Sequence, residues 1–177
     1  NGFAAPETIL TKSNLKIGDA LILTRPLGSG TLLAADMRHQ ARHEWIDALM
    51  QSMLSSNRKA SEISVTHAAH ACTDITGFGL LGHLLEMLAE NDMGATLLLE
   101  QIPTFAGALT TLGRGIVSSL HTDNQLNAAR ISNQVDFQNH DLFPVLFDPQ
   151  TAGGLLISLP RSRAEACLKA LVANGHD

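Results

Sequence analysis

Residues 72–83 read C-T-D-I-T-G-F-G-L-L-G-H, and no other stretch restricts this chain as much. A lone carboxylate, Asp74, stands immediately before a glycine-rich turn that opens a helix. A helix start offers unpaired backbone N–H groups and the positive end of a dipole, so anions settle there without any basic side chain. The carboxylate complicates that picture. Two unit charges about 4 Å apart at an effective dielectric of about 20 interact with roughly 4 kcal/mol, so Asp74 would repel a phosphate unless a cation lay between them. The stretch therefore reads as carboxylate, Mg²⁺, phosphate.

Two other readings use the same letters. Gly77, Gly79 and Gly82 satisfy G-x-G-x-x-G, and Glu100 follows at the end of an apolar run, which is the pattern of a dinucleotide-binding domain. Such a fingerprint normally follows an apolar strand tip and needs no metal, whereas Thr73, Asp74 and Thr76 crowd the approach here. A purely structural reading also exists, in which Gly77 and Gly79 make a tight strand-to-helix turn with Thr76 as N-cap. A Walker-type phosphate loop is excluded, because no Gly-Lys-Ser/Thr follows the glycines.

The remaining chain suits a compact cytoplasmic domain. Its 177 residues, 45% of them hydrophobic, suffice for one buried core. A formal net charge of −5 gives no basic field, which argues against nucleic acid as a partner. No apolar stretch approaches the roughly 20 residues that span a membrane, and no secretory signal is visible. Cys72 and Cys167 read as small buried hydrophobes in a reducing compartment. A start at Asn1 without methionine suits a fragment, and residues 1–14 read as an N-terminal extension or interdomain linker ahead of a domain over 15–177.

Strand and helix patterns alternate without an internal repeat. Residues 19–24 read as a buried strand ended by Arg25-Pro26, and 31–37 as a helix after Gly28-Ser29-Gly30. Over 44–55, Trp45, Leu49 and Met53 recur every fourth residue, widened by Ile46, Met50 and Leu54, which predicts a core-facing helix. The last residues of 64–72 suit a strand, 80–90 a helix, 95–99 a strand, and Pro103 the start of a helix to Leu112. Residues 115–144 are polar and Asn-rich, and read as a mobile surface excursion with a helix over 124–131 capped by Thr122 or Asp123. Residues 155–159 suit a strand and 161–173 a helix with Ala164, Cys167, Leu168 and Leu171 inward. The expected class is α+β, a layered domain with helices packed on a mixed sheet.

Eight histidines invite a metal hypothesis. His39 with His43, and His67 with His70, are pairs without a third ligand at suitable spacing, and zinc normally takes three protein ligands. His83 reads as ordering the motif turn, pointing away from its phosphate end.

A second segment, D-P-Q-T-A-G-G-L-L-I from Asp148, changes the weight of the first. Together with D-I-T-G-F-G-L-L-G-H, with L-K-I-G-D-A-L-I-L-T-R-P-L-G-S-G over 15–30, and with Asn57, it resembles the C-terminal domain of selenophosphate synthetase, or selenide, water dikinase. The resemblance implies the fold of the aminoimidazole ribonucleotide synthetase C-terminal domain. It also implies an enzyme that converts ATP, selenide and water to selenophosphate, AMP and phosphate, supplying selenium for selenocysteine and selenouridine. Asp74 matches that family's aspartate for magnesium on the ATP phosphates, and Thr76, Gly77 and Gly79 would shape the adjoining nucleotide loop. Asp148, Thr151, Gly153 and Gly154 match the second motif, expected as a structural turn near the cleft. The nucleophilic cysteine or selenocysteine, its lysine partner and most ATP contacts belong to an N-terminal part absent here, so no catalytic residue is expected on this chain, which alone should be inactive. The family's dimers pair mainly through that part.

Departures are visible as well. Ala152 stands where serine is common, Arg25 where lysine is frequent, and the chain stops at Asp177 where the family continues into one more strand. Residues 115–124 lack a Pro-Gly-Gly-Thr run, and R-G-I-V-S-S-L-H resembles a subgroup fused behind a flavin-dependent NADH dehydrogenase-like domain. Two further readings stay open: another ATP-using member of the superfamily, of thiamine monophosphate kinase or hydrogenase maturation factor type, and a non-catalytic dinucleotide- or protein-binding module.

Overall fold

A computed structural model describes residues 9–89 and 92–176. Most of residues 1–14, and Glu90 at the expected end of the motif helix, lie outside the described residues.

Strand β3 (Leu155–Pro160) is the centre of the fold. Its run L-L-I-S-L is buried throughout because it has a neighbour on each side and helices on both faces. Strand β1 (Asp19–Leu23) and strand β2 (Ala71–Asp74) flank it, both antiparallel, in the order β1-β3-β2. The sheet is thus antiparallel rather than mixed, and the isolated bridge between Leu27 and Thr104 is parallel. Along the outer edge of β2, Cys72 N–H donates to Thr11 O at 3.0 Å.

Eight α-helices are present among the described residues: α1 (Ser29–Met37), α2 (His43–Leu54), α3 (Arg58–Thr66), α4 (Gly79–Ala89), α5 (Ala108–Gly113), α6 (His121–Gln125), α7 (Gln134–Phe137) and α8 (Arg161–Ala173). Because side chains alternate along a strand, the sheet serves two cores. One face, with Leu156 and Ala71, packs on α4 and on the 3₁₀ turn Phe143–Phe147. The other face, with Leu155, Ile157 and Leu159, packs on Ala60 and Ile63 of α3 and on Cys167 and Leu171 of α8. A third cluster joins α1 to α2 through Leu32 and Leu49. The layout is α+β, as expected.

Several expectations fail in detail. Residues 95–98 form no strand, and Leu99–Gln101 is a 3₁₀ turn: Leu97 and Leu99 pack on the core, but among the described residues no strand pairs with them to complete a ladder. Pro103 does not open a helix, because Leu27 N–H donates to Pro103 O at 2.9 Å and Thr104 is bridged to Leu27, so α5 is delayed to Ala108. The helix expected over 124–131 is α6 from His121 followed by 3₁₀ turns over Leu126–Arg130, which displaces Thr122 and Asp123 from the capping position.

The presumed surface excursion is partly interior, since Ile116, His121, Asn124, Ala128 and Phe143 are buried. Met50 and Leu54 of α2, and Leu168 of α8, face outward: α2 packs through Trp45, Ile46, Leu49 and Met53, and α8 through Ala164, Cys167, Ala170 and Leu171.

Candidate functional site

Strand alternation decides where Asp74 points. Asp74 pairs with Leu155, and Cys72 with Ile157, so both sit on the α3/α8 face of the sheet. There Asp74, exposed at the end of β2, lines an open cleft of about 570 Å³ with Lys12, Asn57, Arg58, Ser61 and Thr73. The glycine turn then carries the chain to the opposite face, where α4 joins the other core. The carboxylate and the glycines of one motif therefore serve different faces.

The turn itself is tied inward. His83 is buried on α4 and, because Cα–Cβ bonds tilt toward a helix N-terminus, its ring reaches back to the turn rather than away from it. Thr76 N–H donates to His83 Nε2 at 3.0 Å, and Thr76 Oγ1 lies 3.0 Å from the same nitrogen. In the neutral ring the proton is then on Nδ1, which lies 3.4 Å from Glu86, close enough to attract but not aligned as a hydrogen bond. His83 orders the turn, as expected, by the opposite orientation to the one expected. Asn124 Nδ2 donates to Gly77 O at 2.8 Å and to Phe147 O at 3.0 Å. Gly79, at φ +68, is buried with the backbone of Leu146 and Phe147 only 3.0 Å from where a Cβ would stand, so it is required both by conformation and by space.

The second motif packs against the first. Ile75 N–H donates to Gly154 O and Gln150 N–H to Thr76 O, each at 2.9 Å. A Cβ at Gly153 would lie 2.1 Å from Ile75 O. The same segment caps α1 at long range: Gln150 Oε1 accepts from Gly28 N–H and Ser29 N–H, and Asp148 Oδ2 accepts from Gly30 N–H at 3.0 Å. Thr151 N–H donates to Ser29 Oγ. Arg25, buried without a carboxylate, spreads its guanidinium across Ala152 O and Ser55 O, and Asn57 Nδ2 donates to Gly153 O. Asp148, Thr151, Gly153 and Gly154 are thus gathered with Thr76 and Gly79 into one scaffold, while Asp74 stands apart in the cleft. Asn57, Arg25, Gln150 and Asn124 are the joints that motif letters alone did not reveal. A buried Asn in a polar stretch was the available signal for the last of them.

Burial governs the protonation of the two ends. Asp148 is fully buried with no partner for Oδ1 among the described residues, and desolvation pushes its pKa up to about 7 against the bonds from Gln150 and Gly30. Cys72 is raised to about 11, by burial first and by the charge of Asp74 second, so it stays a thiol at neutral pH. Cys167 is raised by burial as well. Neither is a thiolate nucleophile.

The donor set in the cleft is one of hard oxygens. Beside the Asp74 carboxylate stand the hydroxyl-bearing Thr73 and Ser61, and Asn57, whose Oδ1 is buried without a hydrogen-bond partner among the described residues. An orphaned amide oxygen and a carboxylate fit a hydrated Mg²⁺, which takes one or two carboxylates and shares the rest of its shell with water and phosphate. No group of three or more His, Cys, Asp or Glu suited to a metal occurs among the described residues. The histidine pairs are used otherwise. His70 Nδ1 lies 2.9 Å from Asp19, His67 Nδ1 bonds Ile63 O, and exposed His43 lies 3.0 Å from Asp47. The dinucleotide reading loses its support too, because β2-α4 leads into no parallel strand and Glu100 sits in a 3₁₀ turn.

Known proteins share this arrangement of sequence along the whole chain. The chain is 37% identical over 174 residues, 98% of its length, to a "Selenide, water dikinase" of Pelobacter propionicus. It is 39% identical over 181 residues, 99% of its length, to one of Myxococcus xanthus, and 36% identical over 177 residues, 97% of its length, to one of Bdellovibrio bacteriovorus. The chain spans 50%, 51% and 49% of these relatives respectively, about half of each. Residues 16–177 match the family described as AIR synthase related protein, C-terminal domain. With a match of that extent over an α+β domain whose two motifs interlock, the chain belongs to the AIR synthase related, C-terminal domain family.

Proposed function

We propose that this chain is the C-terminal half of a selenophosphate synthetase, working with an N-terminal half to convert ATP, selenide and water to selenophosphate, AMP and phosphate. What carries the reading is identity of 36–39% to proteins named selenide, water dikinase over nearly the whole chain. The relatives' shared name favours it over a thiamine monophosphate kinase or a hydrogenase maturation factor. Phosphoryl transfer needs positioning and charge neutralisation more than covalent chemistry from the protein, and one exposed carboxylate in an open cleft suits that need.

In this proposal Asp74 contributes a ligand to the Mg²⁺ on the nucleotide phosphates, with Asn57 Oδ1 as an acceptor for its hydration shell. The ion, held by Asp74, would supply neutralisation of the phosphate charge. Thr76, Gly77 and Gly79 hold the end of β2 in place, clamped by His83 and Asn124. The nucleophile comes from the other half, consistent with both thiols here being held protonated. The partner is that N-terminal half in a cytoplasmic homodimer. Among the described residues no helix is long and apolar enough to cross a membrane.

The test is Asp74→Asn in the full-length protein. Selenide-dependent ATP turnover should fall about 100-fold, the scale of losing one preorganised charge contact, while the unfolding midpoint stays in place. Unchanged turnover across a magnesium titration would remove Asp74 from the site. The isolated chain should consume no ATP with selenide, and activity in a clean preparation would overturn the division of labour.

A further inference from the structure

The motif places its glycines and its carboxylate on opposite faces of the sheet, and this raises the question of what holds the anion beside Asp74. Four polar groups of the turn face inward: Thr76 N–H and Oγ1 meet His83, Thr76 O accepts from Gln150, and Gly77 O accepts from Asn124. None of Thr76, Gly77 and Gly79 lines the cleft that Asp74 lines. That cleft is lined by two cations instead, Lys12 from the segment beside β2 and Arg58 at the first position of α3.

We infer that Lys12 and Arg58, rather than the glycine turn, seat the anion of the Asp74 site, and that the cleft takes a metal-bound polyphosphate with the metal on the Asp74 side. This rests on the reading above that the site serves a nucleotide, and it assigns the phosphate contacts within it.

Charge and size agree. The cleft lining carries two cations and one carboxylate on a chain whose formal net charge is −5, and the carboxylates that pair with those cations, Glu62 and Glu86, lie outside the lining. A polyphosphate carries several negative charges that a single Mg²⁺ does not cancel, and two flexible cations take up the remainder. Both cations are held ready by weak partners. Arg58 Nε lies 2.9 Å from Glu62 with its side chain 85% exposed, and Lys12 Nζ lies 3.7 Å from Glu86 with 44% exposed. Exposed pairs of this kind are weak, so a multivalent anion displaces them at little cost. About 570 Å³ accommodates a hydrated metal with two or three phosphoryl groups.

Direct binding of magnesium tripolyphosphate to the full-length protein tests this without requiring turnover, by titration calorimetry of wild type, Lys12→Gln, Arg58→Gln and the double variant. Each single change should weaken binding about tenfold and the double change about 100-fold, with a shallower salt dependence. Lys59→Gln, on α3 but outside the cleft lining, should bind like wild type, which separates contact from general field. The inference falls if the Lys12 and Arg58 variants bind as wild type does, if Lys59→Gln weakens binding equally, or if wild type does not bind the probe. Cation-dependent binding in a protein without selenide-dependent ATP turnover would sink the functional reading and leave this seat standing.

Discussion

Asp74 and Asp148 head the two motifs, carry the same side chain and stand at the ends of adjoining segments, yet they occupy opposite surroundings. Asp74 is exposed at the rim of a cleft, among hydroxyls, an amide and two cations. Asp148 is completely buried, accepts from Gly30 N–H, and keeps one oxygen without a partner among the described residues. The first is open to solvent and to a ligand. The second bonds inward to the start of α1, where its charge is costly and its geometry is what counts. A motif aspartate is thus no functional signal by itself: which of the two can meet a ligand was decided by strand parity and burial.

That contrast has a measurable consequence in pH. Below about pH 4 Asp148 is protonated in folded and unfolded chain alike, so the fold keeps its full stability. As pH rises toward 7, only the unfolded chain ionises, and stability is lost until the folded pKa is passed. From the ordinary 3.8 to about 7, at about 1.4 kcal/mol per pH unit, the loss is on the order of 4 kcal/mol. Denaturant unfolding of wild type and Asp148→Asn at a series of pH values isolates it, because other titrating groups cancel in the difference. Wild type should lose ground steadily between about pH 4 and 7 and then run parallel to the variant. A pH-independent difference would show that Asp148 is solvated after all.

The glycines divide in the same way. At Gly153 an added methyl would stand 2.1 Å from Ile75 O, backbone that is itself held by the bond from Ile75 N–H to Gly154 O. At Gly77 the nearest obstacle is a side-chain methyl of Leu120 at 3.5 Å, ordinary contact. Gly153→Ala should therefore cost about 3 kcal/mol, the upper end of overpacking, and Gly77→Ala within about 0.5 kcal/mol, read from unfolding midpoints. Equal costs would mean that the interlock between the motifs is looser than its hydrogen bonds indicate.

How much of this was legible in the sequence varies with the kind of information each element needs. β3 and α8 could be read outright: an unbroken apolar run after Gly153-Gly154, then a helix matching 161–173. The failed strand at 95–99 has the right alternation, with Leu98 58% exposed between inward Leu97 and Leu99, but a strand also needs a neighbour, and pairing partners are not written in local pattern. Pro103 failed similarly, its carbonyl claimed by Leu27 from far away. In the candidate site, Asp74 drew notice in the sequence by its awkward charge beside the glycine turn. Lys12 and Arg58 belong to no motif and share a cleft with Asp74 only because β2 puts it on the α3 face. The parity of Asp74 against the buried run of β3 was the signal that could have led there.

A smaller expected effect, at Arg25, separates scaffold from site most cleanly. Arg25 is 5% exposed and donates Nη1 to Ala152 O at 2.7 Å and Nη2 to Ser55 O, joining the second motif to the end of α2. A planar fork spans two carbonyls, whereas the ammonium of Arg25→Lys keeps the charge and reaches one of them well. Ala152 and Ser55 are exposed residues, so water takes up the carbonyl left behind and holds the cost to about 1 kcal/mol. Denaturant midpoints should fall accordingly with an unchanged slope, since no additional surface is exposed. Turnover per folded molecule in the full-length protein should stay near wild type, because Arg25 does not line the Asp74 cleft. A loss of turnover comparable to that of Asp74→Asn, with stability unchanged, would reverse the roles assigned to the two segments.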